Sequence, residues 1–213
     1  MKCTAPSASA RGGFAAVADA SAVSAESMVA FIVAECSSSP RQDTIAHPDT
    51  LTAVARLSVP DGPGGEAAMI WTLRPQLAGM VERMIRGAYQ QSVLPPDERE
   101  VARMRIAQLN DCVACSDFRA QSVREAGVSP DLYDNVQHYR DYPGYTTRQR
   151  LAIEYAERFA TAHDEIDDAF FALLRQNFSD EEVLDLTLCL AVYLGLGRTL
   201  AVLGVDQSCD IEI

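Results

Sequence analysis

The 213-residue chain has few histidines, few cysteines and an excess of acids over bases. It carries 18 Lys and Arg against 30 Asp and Glu, a formal net charge of −12 at pH 7. Such an acidic chain repels phosphate groups, which argues against nucleic-acid binding and against binding to anionic membranes. No uninterrupted apolar run reaches about 18 residues, so the sequence predicts no transmembrane helix.

Six cysteines are too few for a disulfide scaffold in a chain of this length. Only Cys112 and Cys115 lie close together in the sequence. This pattern favours a reducing, cytoplasmic compartment with one special pair of thiols. None of the three histidines has metal-site spacing to the pair, so we predict no metal and no organic cofactor.

Residues 1–50 differ in composition from the rest of the chain. Up to Ser27 they are mostly Ala, Ser and Gly, which offer too little apolar surface to offset the entropy of ordering. A secretory signal is a poor match because basic residues are scarce at the start. The sequence therefore predicts a disordered extension over 1–50 and one folded domain over 51–213.

After residue 51 helical signals dominate, and no segment alternates as a strand does, so the predicted fold is all-α. Thr146 with Gln149, and Ser179 with Glu182, fit capping boxes. The last helix is apolar nearly all round, which indicates a core helix or a subunit interface. A short helix is predicted at Ser129-Pro130, and longer ones over 75–89, 96–109, 112–126, 147–162, 164–177 and 180–203.

The pair Cys112 and Cys115 is the strongest chemical signal in the sequence. Two cysteines three residues apart at a helix start share a face, and their sulfurs can bridge with little backbone movement. A helix start also favours the thiolate form, and a thiolate beside a second thiol can attack a peroxide or a disulfide. Half of a zinc site and a pair of inert core cysteines are the alternatives.

The residues around this pair resemble those of the alkylhydroperoxidase (AhpD-like) and carboxymuconolactone decarboxylase family. Glu100 is followed after eleven residues by Cys112 and then by Cys115, and Asn110 stands two residues before the first cysteine. The segment 193–198 resembles the closing helix of the family. The resemblance covers about residues 51–206.

The resemblance implies an all-helical AhpD-like fold that forms homo-oligomers, often trimers or hexamers. It implies a peroxiredoxin-type oxidoreductase with an antioxidant role, in which Cys115 attacks a hydroperoxide and Cys112 closes the disulfide. Glu100 would belong to a proton relay. The implied reductant is a thiol, either a lipoylated partner protein or a small dithiol.

The sequence departs from the family at Arg119, where the relay usually has a histidine. On a continuous helix Arg119 would share the face of Cys115. An arginine can stabilise a thiolate but cannot accept a proton near neutral pH, so we expect altered proton handling. Other interpretations stay open: Glu100 as an ion-pair partner of Arg103, Asp117 as a substitute base, and Arg119 as a solvated side chain.

Two other functions compete with hydroperoxide reduction. The first is a non-enzymatic, oligomeric redox sensor or scaffold, which the missing histidine favours. The second is a lactone-directed lyase of the carboxymuconolactone decarboxylase type, although such relatives rely on His and Glu and generally lack the cysteine pair. His138 is interpreted as a surface residue, and Cys189 as a small buried hydrophobe.

Overall fold

The structure is a computed structural model that describes residues 55–205 and, before them, residue 30 alone. Its regular elements in the range 55–205 are all helical, which confirms the all-α prediction. The predicted extension and its boundary at residue 50 lie outside this range. The α-helices are α1 Gly65–Met69, α2 Pro75–Gln90, α3 Pro96–Leu109, α4 Val113–Asp117, α5 Gln121–Glu125, α6 Asp131–Asp134, α7 Thr147–Thr161, α8 Asp168–Asn177 and α9 Asp180–Leu203.

Local capping signals place the starts of the two longest C-terminal helices. The Gln149 N–H donates to the Thr146 hydroxyl at 3.1 Å, and the Gln149 side chain accepts from the Thr146 N–H at 2.9 Å. Ser179 and Glu182 make the same reciprocal pair at the start of α9. Both predicted capping boxes are confirmed, because each satisfies helix N–H groups that have no partner within the helix.

Helix α3 lies at the centre of the fold and packs mainly on α7 and α9. Val101 and Ala102 on this helix are fully buried. Charged residues of the same helix, including Glu100 and Arg103, are buried as well. Since a buried charge is costly unless it is paired, α3 brings paired ionic groups into the core of the domain.

The single helix predicted over 112–126 is wrong. The chain instead forms α4 and α5, separated by Phe118 and Ala120 in extended conformation, with ψ values of 133° and 143°. Arg103 on α3 donates to the Cys115 carbonyl at 2.5 Å and to the Phe118 carbonyl at 3.1 Å. Those carbonyl oxygens therefore accept from an arginine side chain and not from the backbone N–H groups of a further helical turn.

Two shorter predictions need smaller corrections. The helix expected from residue 164 begins at Asp168, after a 3-10 turn at His163–Glu165, because the Asp167 side chain caps it by accepting from the Phe170 N–H. The short helix expected at Ser129-Pro130 begins one residue later, at Asp131.

Helix α9 is only partly covered by the rest of the chain. Leu184 is 60% exposed and Leu188 is 51% exposed, so this face is not a core face of the single chain. By length and composition α9 is also long and apolar enough to cross a membrane, a criterion that core helices of soluble proteins meet too. The sequence analysis predicted no transmembrane helix because it looked for an uninterrupted apolar run of about 18 residues, and α9 contains no such run.

Candidate active site

The cysteine pair lies where the chain turns from α3 into α4. Asp111 takes a left-handed conformation, with φ of 50°, and Cys112 then forms the N-cap of α4. The Cys112 and Cys115 sulfurs are joined in a disulfide, and their Cα atoms are 5.2 Å apart. The Cys112 sulfur also accepts from the Cys115 N–H at 3.2 Å. The sequence spacing therefore brings the two sulfurs into one turn, as predicted.

The two cysteines differ in exposure. Cys112 is 5% exposed, whereas Cys115 is partly open to solvent. Cys115 is therefore the more exposed cysteine of the pair.

Glu100, on α3, is fully buried. Its Oε2 accepts from the Arg103 Nε at 2.8 Å and from the Tyr133 hydroxyl at 3.3 Å. Its Oε1 is buried without a hydrogen-bond partner among the described residues. The ion pair with Arg103 that sequence spacing allowed is therefore present, and one carboxylate oxygen is left open for a proton.

Arg103 connects Glu100 to the segment 111–115, which contains both cysteines and is called the cysteine turn. Its Nε binds the Glu100 carboxylate, while its Nη1 donates to the Cys115 carbonyl. Burial alone would lower the pKa of Arg103, but the Glu100 charge outweighs this and raises it. Arg103 thus holds a permanent positive charge beside the backbone of Cys115. The sequence offered only its i+3 spacing from Glu100 as a signal.

Arg119 does not lie on the helix face of Cys115, so the geometry predicted for it is wrong. Because the chain leaves the helix at Phe118, the Arg119 side chain folds back over the end of α4. Its Nη1 donates to the Ser116 carbonyl at 2.5 Å and to the Phe118 carbonyl at 2.7 Å. Its guanidinium carbon lies 3.8 Å from the centroid of the Tyr133 ring.

Tyr133 is a site residue that the sequence did not reveal. It is buried, and its hydroxyl donates to Glu100, which lies 33 residues earlier in the chain. Burial, followed by the negative charge of Glu100, raises the pKa of Tyr133 well above its ordinary value. The phenol is therefore a neutral hydrogen-bond donor throughout the physiological pH range.

Helix α9 approaches the cysteine turn through a glycine. The Asn110 side-chain amide donates to the Leu194 carbonyl at 3.2 Å. A Cβ atom at Gly197 would lie 2.6 Å from Asn110 Nδ2 and 3.4 Å from the Cys115 sulfur. Only glycine permits this approach without a shift, so Gly197 sets the distance between α9 and the pair.

Other candidate residues lie apart from the pair or carry no contact to it. His138 is exposed, as predicted. Cys189 is buried, as predicted, and burial raises the pKa of its thiol to about 12. Asp117 is exposed and makes no ion pair among the described residues. Within residues 55–205 no group of three or more His, Cys, Asp or Glu side chains could hold a metal ion.

Comparison with known proteins finds chains with a similar sequence and a similar fold. The family model described as "Carboxymuconolactone decarboxylase family" matches residues 75–158, from α2 to most of α7. A peroxidase-related protein from Silicibacter sp. TM1040 superposes with a TM-score of 0.60 at 18% identity, over 76% of this chain and 94% of that chain. A peroxidase-related protein from Ralstonia eutropha JMP134, an alkylhydroperoxidase AhpD core, gives 0.59 at 20% identity, over 76% and 93%.

Residues 75–158 therefore resemble the carboxymuconolactone decarboxylase family. At these identities the two structures establish the fold alone, which is the AhpD-like helical fold that the sequence resemblance implied. The uncharacterized protein YnjA of Escherichia coli K12 is 31% identical over 123 residues, or 58% of this chain. That alignment spans 64% of YnjA, less than two thirds of its length.

The family match contains most of the candidate site. Glu100, the cysteine pair, Arg119 and Tyr133 all fall within residues 75–158. Gly197 on α9 lies outside that range, although it touches the same turn.

Proposed function

We propose that this chain reduces hydroperoxides with the Cys112–Cys115 pair. The observation that carries the proposal is a disulfide between a partly exposed cysteine and a buried one, which Arg103 links to a buried carboxylate. Cys115 is the partly exposed cysteine and the attacking residue, Cys112 resolves, and Glu100 handles protons. Two proteins that share the fold are described as peroxidase-related, which supports a peroxidase-like role for this chain.

The reaction balances with two thiols and one hydroperoxide. The Cys115 thiolate attacks the terminal peroxide oxygen, the O–O bond breaks, and the alcohol leaves after taking a proton. Cys115 is then a sulfenic acid. The Cys112 sulfur attacks the Cys115 sulfur, the S–O bond breaks, and hydroxide takes a proton and leaves as water. A dithiol, free or on a lipoylated partner protein, returns two electrons and two protons by disulfide exchange.

The charges around the turn suit this chemistry. Arg103 and Arg119 place their guanidinium groups on the carbonyls of Cys115 and Ser116, and nearby positive charge favours a thiolate. Proton transfer falls to Glu100, whose Oε1 has no partner among the described residues. Tyr133 donates to the other oxygen and orients the carboxyl group. This arrangement replaces the histidine that the relay of the family usually contains.

The direct test is oxidation of fully reduced protein by one equivalent of cumene hydroperoxide. Intact mass should fall by two hydrogens, peptide mapping should place the bridge at Cys112–Cys115, and one alcohol should form per bridge. Added dihydrolipoamide should then support many turnovers. Unchanged thiols would exclude the proposal. Oxidation without turnover under any dithiol would favour the redox-sensor alternative.

We also propose that the chain forms a homo-oligomer, a trimer or a hexamer, through an apolar surface on α2 and α9. Leu77, Met80 and Met84 are about half exposed and share one face of α2, being three and four residues apart. Leu184 and Leu188 form an equivalent stripe on α9. Apolar stripes of this kind on two packed helices are typical of subunit contacts.

Replacing Leu188 by glutamate should convert the oligomer to monomers, because burying an unpaired carboxylate in an apolar contact is costly. Light scattering coupled to size exclusion measures the mass directly. Leu173→Glu on α8 is the matched control, since Leu173 is 40% exposed and lies outside the stripe. Monomeric wild-type protein, or an unchanged mass in Leu188→Glu, would contradict this assembly.

A further inference from the structure

One nitrogen of the Arg119 guanidinium, Nη1, makes hydrogen bonds within the domain, whereas the edge formed by Nε and Nη2 makes none with the described residues. This second edge is called the open edge. Nη1 donates to the carbonyls of Ser116 and Phe118. Nε and Nη2 donate to no acceptor among the described residues. Neither nitrogen is one of the fully buried polar atoms without a hydrogen-bond partner. Both nitrogens therefore reach solvent, and their parallel N–H groups form the fork that binds a carboxylate through two hydrogen bonds.

The charge of Arg119 is also unpaired within the part of the chain that is described. No carboxylate oxygen there lies within 4.0 Å of it, whereas Arg103 is paired with Glu100. Asp117 attracts Arg119 but makes no contact with it. Burial, followed by repulsion from Arg103, lowers the pKa of Arg119, so its surroundings disfavour the positive charge. A bound anion would compensate it.

The open edge is rigid and close to the redox pair. The Tyr133 ring stacks under the guanidinium at 3.8 Å and fixes its plane. The carbonyl that Nη1 binds belongs to Ser116, the residue after the attacking Cys115. A ligand held on the Nε–Nη2 edge would therefore lie on a guanidinium that contacts the residue next to Cys115, with little entropy lost by the arginine on binding.

We propose that Arg119 is a substrate-binding residue that recognises a carboxylate on a molecule reacting with the Cys112–Cys115 pair. The inference rests on the proposed function and adds a substrate class to it. The carboxylate belongs either to an acidic hydroperoxide or to an acidic dithiol. A neutral analogue of the same size would leave the arginine edge unpaired and would react more slowly.

Two substrate pairs separate the two sources of the carboxylate. In the first arm, kcat/KM is compared for linoleic acid hydroperoxide and its methyl ester. In the second, it is compared for dihydrolipoate and dihydrolipoamide as reductants. We expect a preference of about tenfold for the acid in one of these arms, the range of a charge-assisted bidentate contact at a partly exposed site.

Variants at Arg119 assign the preference to this side chain. Arg119→Gln should bring the acid-to-neutral ratio close to one, and Arg119→Lys should keep part of it, since lysine retains the charge without the fork. Arg175→Gln on α8 removes the same charge from a side chain that is 63% exposed, and should leave the ratio unchanged. The ratio is measured within each variant, so a general loss of activity does not imitate the effect.

Equal rates in both arms of the wild type, or a preference that survives Arg119→Gln, would overturn the inference. A binding measurement keeps it separate from the peroxidase proposal. Octanoate added to the oxidised protein should shift the Arg119 Nε–H signal in an NMR titration, whereas methyl octanoate should not. Octanoate binding without any peroxide reduction would reject the peroxidase activity and keep the carboxylate site. Peroxide reduction with neither acid preference nor octanoate binding would keep the activity and reject the carboxylate site.

Discussion

Replacement of Cys115 by serine is expected to abolish hydroperoxide reduction. Cys115 is the partly exposed member of the pair, and the other cysteines in residues 55–205, Cys112 and Cys189, are buried. A serine hydroxyl is a poor nucleophile at neutral pH, so kcat/KM should fall by roughly 10³-fold or more. Peroxide consumption in the presence of excess dithiol measures the loss.

Cys112→Ser should stop the same reaction one step later. In this variant Cys115 should still be oxidised once, to a sulfenic acid that persists because no resolving thiol remains. The protein should therefore gain the mass of one oxygen and react with dimedone. Cys189→Ser changes a buried thiol on α9 and should turn over as the wild type does. If Cys115→Ser formed the sulfenic acid and Cys112→Ser did not, the roles of attacker and resolver would be exchanged.

Glu100→Gln should reduce both activity and stability. It removes the proton-accepting carboxylate, which costs about 10²-fold or more in kcat/KM. It also leaves the Arg103 guanidinium, 4% exposed, without its charge partner. Breaking a buried pair from one side destabilises a protein by about 3–5 kcal/mol. Urea unfolding and steady-state kinetics of the same preparation, at a temperature where the variant is folded, separate the two effects.

Glu157→Gln is the matched control for Glu100→Gln. Glu157 on α7 pairs with Arg105 and Arg140, and about a fifth of its side chain is exposed. The loss of stability should stay below about 1 kcal/mol, and the rate should not change. An equal loss of rate in the two variants would show that Glu100 acts only through folding.

Tyr133→Phe isolates the hydroxyl that binds Glu100. The Glu100–Arg103 pair stays, so stability should fall by only about 1 kcal/mol. The rate should fall by about tenfold, because the carboxyl group of Glu100 loses the donor that orients it. Tyr139→Phe, whose buried hydroxyl has no partner among the described residues, is the control. An unchanged rate in Tyr133→Phe would remove Tyr133 from the proton path.

The parts of the fold that the sequence predicted are those with local causes. Pro75 and Pro96 begin α2 and α3, and the capping boxes at Thr146 and Ser179 begin α7 and α9. Each signal is contained within four residues of the chain. The position of the cysteine pair at a helix start is local in the same sense, because Cys112 caps α4 with its own sulfur.

The parts that the sequence missed depend on contacts across the fold. The break at Phe118 follows from Arg103, which reaches the carbonyl oxygens of a segment 12 to 15 residues further on. Arg119 left its predicted helix face for the same reason. Tyr133 reaches Glu100 from α6, a helix of four residues with no motif to mark it. Helical spacing alone could not anticipate side chains that terminate a helix from outside.

The two short helices α4 and α5 give the cysteine turn an unusual dynamic character. Each has five residues, far below the about 12–15 at which an isolated helix becomes marginally stable. Their order therefore depends on the disulfide and on arginine contacts from outside. When the disulfide is reduced, this segment loses its one covalent restraint while α3 and α7 keep their packing. We expect the reduced turn to open more readily than the oxidised one, and we expect that opening to expose the sulfur of Cys112.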